Sequence, residues 1–141
     1  MEIFMFNSKF RVFLISFLTL VFASSASLAS SGFDPTGLWQ ADDGESRYEV
    51  SLCGDGSQLC AKLVWIQPDK IKRANKVYID TYVVNKIKRH SNREWRGNIS
   101  LYGHTVSGSV KAMHQDRLKV NGCALIVICI SQGLNRMAST D

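Results

Sequence analysis

The chain has 141 residues and a net charge of +5 at pH 7, with 17 lysines and arginines against 12 acidic residues. This length provides for one hydrophobic core but not two, so a multidomain protein is excluded. The sequence contains no internal repeat, and no low-complexity segment follows residue 32.

The first 29 residues have the three parts of a secretory signal peptide. Lys9 and Arg11 supply positive charge, an apolar run spans residues 12–22, and small residues continue to Ala29. A membrane-spanning helix needs about 20 apolar residues, and this run is about half that, so cleavage is favoured over an uncleaved anchor. We therefore predict a signal peptide at 1–29 with cleavage after Ala29, and a periplasmic or secreted domain at 30–141 without a transmembrane segment.

Export determines how charge and cysteines are interpreted. The predicted mature chain of 112 residues loses two positive charges and one negative charge, which leaves +4. That charge favours anionic surfaces such as phospholipid headgroups or lipopolysaccharide, whereas nucleic acid is in the wrong compartment. An even number of cysteines in an oxidising compartment indicates disulfides. No Cys-x-x-Cys occurs and the histidines lie far from the cysteines, so neither a metal nor a cofactor is predicted.

Alternation of apolar and polar residues with a period of two dominates the mature chain and indicates half-buried strands. The pattern covers segments 47–52, 59–66, 77–87, 95–102, 105–112 and 117–120. About seven or eight short antiparallel strands with tight turns predict an all-β, closed, up-and-down barrel, because closure removes exposed edges. A sandwich is the alternative architecture. Segment 67–76 is expected to be a polar loop or a flap.

The first two cysteines flank a predicted turn. Cys53 and Cys60 are separated by turn-forming residues and fall on the outer side of two adjacent predicted strands. Facing residues of such a hairpin have Cα atoms about 4.5–5.5 Å apart, a distance that a disulfide tolerates. A Cys53–Cys60 disulfide is predicted.

The other two cysteines enclose a strand-like run without a turn residue. Cys123 and Cys129 would lie about 20 Å apart on a straight strand, too far for a bond. Either the chain bends between them or each pairs elsewhere, and the spacing leaves both alternatives open.

Several motifs resemble the bacterial domain-of-unknown-function family 2147. They are Asp34-Pro35-Thr36-Gly37-Leu38-Trp39, Cys53-Gly54-Asp55, residues 59–65, Trp95-Arg96-Gly97, Gly103-His104-Thr105, residues 118–123, and Cys129 with Gln132 and Arg136. The resemblance covers nearly all of 34–136 and implies a small exported protein with a lipocalin-like barrel. It also implies a Cys123–Cys129 bridge across a bend, although relatives tend to have glycine where this chain has Ile126-Val127.

Two sets of residues are candidates for structural and binding roles. Gly37-x-Trp39 is the short signature of the first strand of lipocalin-like barrels, where the Trp closes one end beneath an Arg, here Arg136. His104 and His114 share the parity of inward-facing residues at opposite ends of one strand, and could contact a ligand in an apolar interior. The alternative is that both are hydrogen-bonded histidines at the barrel rims. The predicted ligand-binding set is Trp65, His104, Val106, Val110 and His114.

Segment 70–96 is strongly basic, with nine lysines and arginines against two acidic residues. It is interpreted either as a solvated loop face or as a surface that attracts anionic envelope lipid or glycan. No catalytic set is apparent, because residues 42–45 have the composition of a tight turn and no nucleophile elbow or phosphate loop occurs.

The leading hypothesis is a non-enzymatic periplasmic protein that binds or carries a small apolar or amphipathic ligand. The alternative is an inhibitor-like module that contacts an envelope protein or glycan through its basic face.

Overall fold

The computed structural model describes residues 32–101, 103–125 and 127–138. The predicted signal peptide and its cleavage site lie outside the described residues. The described part of the chain forms eight strands: β1 (Gly37–Ala41), β2 (Ser46–Cys53), β3 (Gln58–Ile66), β4 (Tyr82–Ser91), β5 (Glu94–Leu101), β6 (His104–His114), β7 (Arg117–Ala124) and β8 (Ile128–Arg136).

Each strand pairs antiparallel with the next, and β8 pairs back to β1, so the sheet closes into a barrel. The prediction of an all-β, closed antiparallel barrel is confirmed. Because odd and even strands run in opposite directions, the β1–β2, β3–β4, β5–β6 and β7–β8 connections gather at one end, which we call the mouth. The start of β1, the end of β8 and the other three connections gather at the opposite end, the closed end.

Alternate side chains of the strands fill the barrel, as the period-two pattern predicts. The buried interior includes Val50, Leu59, Ile99, Val110 and Leu118, each at most 2% exposed. Burying such aliphatic side chains contributes about 1.5–3 kcal/mol each. The same alternation leaves the polar residues of each strand on the outer face.

The β3–β4 connection is longer and more folded than the pattern of segment 77–87 predicts. It contains a 3₁₀ turn (Pro68–Lys70) and a single helical turn, α1 (Arg73–Lys76), and β4 begins only at Tyr82. The side chain of Asn75 accepts a hydrogen bond from the Lys72 amide and donates one to the Lys70 carbonyl. These bonds favour a helical turn over an extended chain. Residues 67–81 are called the flap below.

Strand β4 departs from simple alternation after it begins. Val84 and Ile87 are both buried although they are three residues apart. Lys86 has a φ of 54°, and the register of β4 shifts against both neighbouring strands. A bulge of this kind turns the following side chain to the other face.

The Cys53–Cys60 disulfide is confirmed, but its two residues do not face each other directly. Cys53 is opposite Gln58, and Ser51 is opposite Cys60, so the bond joins diagonal positions with Cα atoms 5.9 Å apart. Cys60 lies on the outer side of β3, where its sulfur accepts a hydrogen bond from the Lys86 amide.

The Cys123–Cys129 disulfide is also confirmed, because the chain turns back between β7 and β8. The two cysteines are directly opposite each other in the hairpin, with Cα atoms 4.0 Å apart. Leu125 occupies the left-handed region with a φ of 61°. Leucine rarely adopts this conformation, which is why the sequence showed no turn signal here.

Among the described residues, no helix has the length and apolar character that crossing a membrane requires.

Candidate ligand-binding site

An apolar cavity of about 90 Å³ lies inside the barrel. Its walls come from seven strands and are aliphatic apart from one tyrosine and one glutamine. The lining residues are Tyr48, Val50, Leu59, Ala61, Val83, Val84, Ile99, Leu101, Val110, Leu118, Val120, Gln132 and Leu134. A cavity with such walls favours an apolar guest over water.

A second, more polar pocket of about 540 Å³ lies at the mouth. The flap forms one side of it, and the β1–β2 turn and the start of β8 contribute to the others. Glu45 forms an ion pair with Lys70 across this pocket, with 2.8 Å between carboxylate oxygen and ammonium nitrogen. That hydrogen-bonded carboxylate raises the pKa of Lys70 above its ordinary value.

Four side chains border both spaces, so the inner cavity and the mouth pocket adjoin. They are Tyr48, Val83, Leu101 and Gln132. Two of them are polar: the Tyr48 hydroxyl accepts a hydrogen bond from Ser46, and the Gln132 amide donates one to the Gly133 carbonyl. A few polar groups at the boundary of an apolar cavity are what orients an amphipathic guest.

The opposite end is closed around Trp39 and Arg136. Trp39 is fully buried, and the Arg136 guanidinium carbon lies 4.3 Å from the centroid of its ring. The same guanidinium donates hydrogen bonds to the carbonyls of Asp34, Thr36 and Gln115. It therefore fixes the segment before β1 and the β6–β7 turn across this end, in the arrangement expected from the Gly37-x-Trp39 signature.

A second tryptophan completes the closed end. Trp95 is fully buried, and its ring nitrogen donates a 2.9 Å hydrogen bond to the Ser57 carbonyl in the β2–β3 turn. Arg89 lies over its ring at 5.0 Å. The two buried tryptophans therefore fill this end of the barrel.

The structure brings only part of the predicted ligand-binding set to the interior. Val110 lines the cavity, and Val106 is buried in the same core. Trp65 lies on the outer face instead, with Arg47 stacked 4.2 Å from its ring centroid. The reason is a bulge in β3, where the register shifts so that Tyr48 pairs with Leu63 while Arg47 pairs with Trp65.

His104 and His114 do not line the barrel interior: both are exposed at the two ends of β6, which agrees with the alternative of histidines at the barrel rims. His104 is the first residue of β6 and pairs with the last residue of β5, at the edge of the barrel wall. His114 follows a register shift between β6 and β7 and lies on an outer depression beside Arg117. The predicted inward parity of β6 holds for Val106, Val110 and Ala112, which are buried. It does not hold at the two ends of the strand, where the barrel wall ends at His104 and the register shifts before His114.

The sequence did not single out the residues at the boundary between cavity and mouth. Tyr48 has the inward parity of Val50, and that parity was the available signal. Gln132 shares the parity of Ile130 and Leu134 in β8, a segment outside the alternating runs identified from the sequence. Among the described residues, no group of three or more His, Cys, Asp or Glu side chains could hold a metal ion.

An outer network joins the first and last strands. Arg117 forms two hydrogen bonds with the Asp42 carboxylate, and Asn135 donates a third. The hydrogen bond from Arg117 is the main reason that the pKa of Asp42 lies below its ordinary value. This network supports barrel closure, since β1 and β8 share only three paired positions.

One protein-family model matches residues 37–136, which is most of the chain, and its description is "Uncharacterized protein conserved in bacteria (DUF2147)". No curated protein matches the chain, and no solved structure matches it.

Proposed function

The chain belongs to the bacterial family DUF2147, and we propose that it binds a small amphipathic molecule without catalysing a reaction. The apolar part of this ligand occupies the inner cavity and its polar part lies in the mouth pocket. The observation that carries the proposal is that an apolar cavity adjoins a larger and more polar pocket at one end of the barrel, while two buried tryptophans close the other.

The cavity volumes restrict the shape of the ligand. The inner cavity, at about 90 Å³, is smaller than the cavity of about 150 Å³ that takes up benzene in another protein. It therefore suits the end of a thin alkyl chain rather than a ring system. The mouth pocket, at about 540 Å³, falls within the usual range for small-molecule sites, roughly 300–1,000 Å³.

The mouth offers hydrogen-bonding groups of both kinds. Lys70 and Lys72 of the flap are opposed by Asp43 and Glu45 of the β1–β2 turn, and the mouth is close to neutral overall. Such a mouth suits a polar or zwitterionic head more than a multiply charged one. Beyond it, Tyr48 and Gln132 are placed to bond the atoms that join head and chain.

The proposed setting is the bacterial periplasm, or the exterior after secretion. Two features support export: the signal-peptide pattern of residues 1–29, and the two disulfides, since such bonds persist in oxidising compartments.

Calorimetric titration with n-alkyl carboxylates of six to twelve carbons tests ligand binding. The informative variant is Ala61→Leu, which adds three carbon atoms to the wall of the inner cavity. Excluding two methylene groups of the ligand, at about 0.8 kcal/mol each, weakens binding about tenfold.

Lys62→Leu is the matched control, since it adds apolar bulk to the neighbouring, outward-facing residue of the same strand. It is expected to bind as the unsubstituted protein does. Equal binding by Ala61→Leu and Lys62→Leu would contradict the proposal, as would a protein that binds none of the alkyl carboxylates.

A second candidate function rests on the outer face of β4–β7. Lys88 is directly opposite Arg96, and Lys111 is directly opposite Lys119. All four side chains are exposed, with Glu94 as the acidic neighbour of Arg96 and Lys111. Like charges in directly opposite positions destabilise a sheet. A polyanionic envelope glycan bound across these strands would offset that repulsion.

Elution from an immobilised anionic polysaccharide in a salt gradient tests this second candidate. Replacing Lys111 and Lys119 by Glu is expected to move elution to clearly lower salt, since fewer counterions are exchanged. A double replacement of the same charge at Lys62 of β3 and Lys70 of the flap, outside these four paired positions, is the control. Equal shifts for the two double variants would show only a response to net charge.

A further inference from the structure

Large apolar side chains are exposed at the mouth end of the barrel. Leu125 is 78% exposed, Val127 85% and Ile128 59% in the β7–β8 hairpin, and Val77 of the flap is 66% exposed. Ile130, 53% exposed, also borders the mouth pocket together with flap residues. These five residues are called the apolar rim. Exposed apolar side chains concentrated at one site mark a surface that another phase or molecule covers.

The hairpin that carries most of the rim is short and covalently closed. The Cys123–Cys129 disulfide joins its two strands at the second residue pair from the tip, since Ala124 and Ile128 form the last pair before the turn. Residues 120–135 contain no charged side chain. The tip can therefore enter an apolar phase without carrying a charge into it.

Positive charge flanks the rim on the flap. Lys72, Arg73 and Lys76 are exposed and come directly before Val77. Lys72 borders the same mouth pocket as Ile130, so cationic and apolar groups surround one opening. Asp43 and Glu45 of the β1–β2 turn border it too, but Glu45 is paired with Lys70, and the flap carries four basic side chains against two acidic ones. Apolar side chains beside basic ones are the arrangement by which proteins bind the interface of anionic bilayers.

We infer that the mouth docks onto the surface of an anionic lipid bilayer, with the apolar rim inserted among the headgroups and the flap cations facing lipid phosphates. A second copy of the chain is the less suitable occupant, because a symmetric contact through the rim would bring the cations of both flaps together. Docking in this orientation places the opening of the cavity against the membrane. It goes beyond ligand binding and does not require the cavity to hold a ligand.

Co-sedimentation with vesicles tests the inference. The full chain is expressed, and the exported protein is purified without detergent, with both disulfides formed. It is mixed with vesicles of phosphatidylglycerol and phosphatidylethanolamine, or of phosphatidylcholine alone. We expect the protein to bind the anionic vesicles and the binding to weaken as salt is added. Binding to phosphatidylcholine vesicles should be at least about tenfold weaker, since each basic residue at an anionic surface increases the affinity about fivefold.

The tip variant combines Leu125→Asn and Val127→Asn. Asparagine tolerates the positive φ of residue 125, so the turn is retained. Removing two exposed aliphatic side chains is expected to weaken partitioning by about tenfold or more. Met113→Asn is the matched control: Met113 is 42% exposed on β6, outside the rim, and its replacement is expected to leave partitioning unchanged.

A flap variant, Lys72→Glu with Lys76→Glu, tests the charges without altering the hairpin. It is expected to weaken binding to anionic vesicles and to reduce its salt dependence. Lys119→Glu, on the outer face of β7, is expected to change binding much less. Because every variant carries the same N-terminus, a difference between variants reports on the substituted surface.

Three results would overturn the inference: no binding to anionic vesicles, equal binding by the tip variant and the Met113 control, or equal losses from the flap variant and Lys119→Glu. A dimer in sedimentation velocity that the tip variant dissociates would overturn it as well, by identifying a second copy as the occupant. Titration with alkyl carboxylates contains no vesicles, so failure of ligand binding and failure of docking are distinguishable.

Discussion

Replacing Arg136 by Lys keeps the positive charge at the closed end but removes the planar group that organises it. Arg136 donates hydrogen bonds to three carbonyl oxygens while it stacks on Trp39. A lysine ammonium cannot span these positions and stack at once. Losing one charged hydrogen bond costs about 1.5–3 kcal/mol and losing the stack about 0.5–1 kcal/mol. The free energy of unfolding is therefore expected to fall by about 2–4 kcal/mol.

Urea unfolding, followed by tryptophan fluorescence with both disulfides intact, measures this effect. With a slope of about 1–3 kcal/mol per molar urea, the Arg136→Lys midpoint should fall by roughly 1–3 M at an unchanged slope. The control is Arg96→Lys, because Arg96 makes an exposed pair with Glu94 and such pairs contribute at most about 1 kcal/mol. If both variants unfold at the same midpoint, Arg136 does not organise the closed end as described.

Three further predictions concern closure, the flap and the cavity. Asp42→Asn should destabilise the barrel at neutral pH. Because Arg117 holds the pKa of Asp42 below its ordinary value of 3.8, the stabilisation is present above that pH and is lost as the pH falls through the lower folded pKa. The difference in free energy of unfolding between Asp42→Asn and the unsubstituted protein, measured with urea, should therefore shrink below about pH 4. A difference that stays constant from pH 7 to pH 3 would contradict this. Gly103→Ala should lower the melting temperature, since Gly103 has a φ of 81° and an added Cβ would lie 2.6 Å from the Tyr78 hydroxyl; an unchanged value would mean that the flap does not pack there. Ala61→Leu should stay within about 1 kcal/mol of the original stability, because methylene burial and overpacking oppose each other, and urea unfolding would reveal a larger loss.

The strand pattern predicted the barrel because most strands keep strict alternation between one buried and one solvated face. It failed where a bulge changes parity, as in β3, where Trp65 moved to the outer face. Bulges arise from pairing with neighbouring strands and have no local signature in these segments. In the flap, the loop expected at 67–76 contains a helical turn that side-chain hydrogen bonds of Asn75 stabilise. The alternation from residue 77 was misleading, because β4 begins only at Tyr82.

The candidate site was less predictable than the fold. The cavity needs side chains from seven strands to converge, and only Val110 of the predicted set lies on its wall. The hairpin between Cys123 and Cys129 was implied by family resemblance rather than by residue type, since Leu125 adopts a conformation that leucine disfavours. Once that hairpin is recognised, Gln132 has its place at the boundary of cavity and mouth.

The proposal that the barrel interior opens at the mouth and holds an amphipathic molecule is open to measurement by native mass spectrometry. The protein is exported from cells that express the full chain, purified without detergent, and its mass is compared before and after unfolding with both disulfides intact. We predict a discrete non-covalent adduct in the native protein that is released on unfolding and is reduced in Ala61→Leu but not in Lys62→Leu. A native mass equal to the denatured mass would contradict the claim and favour the basic outer face of β4–β7 as the functional surface.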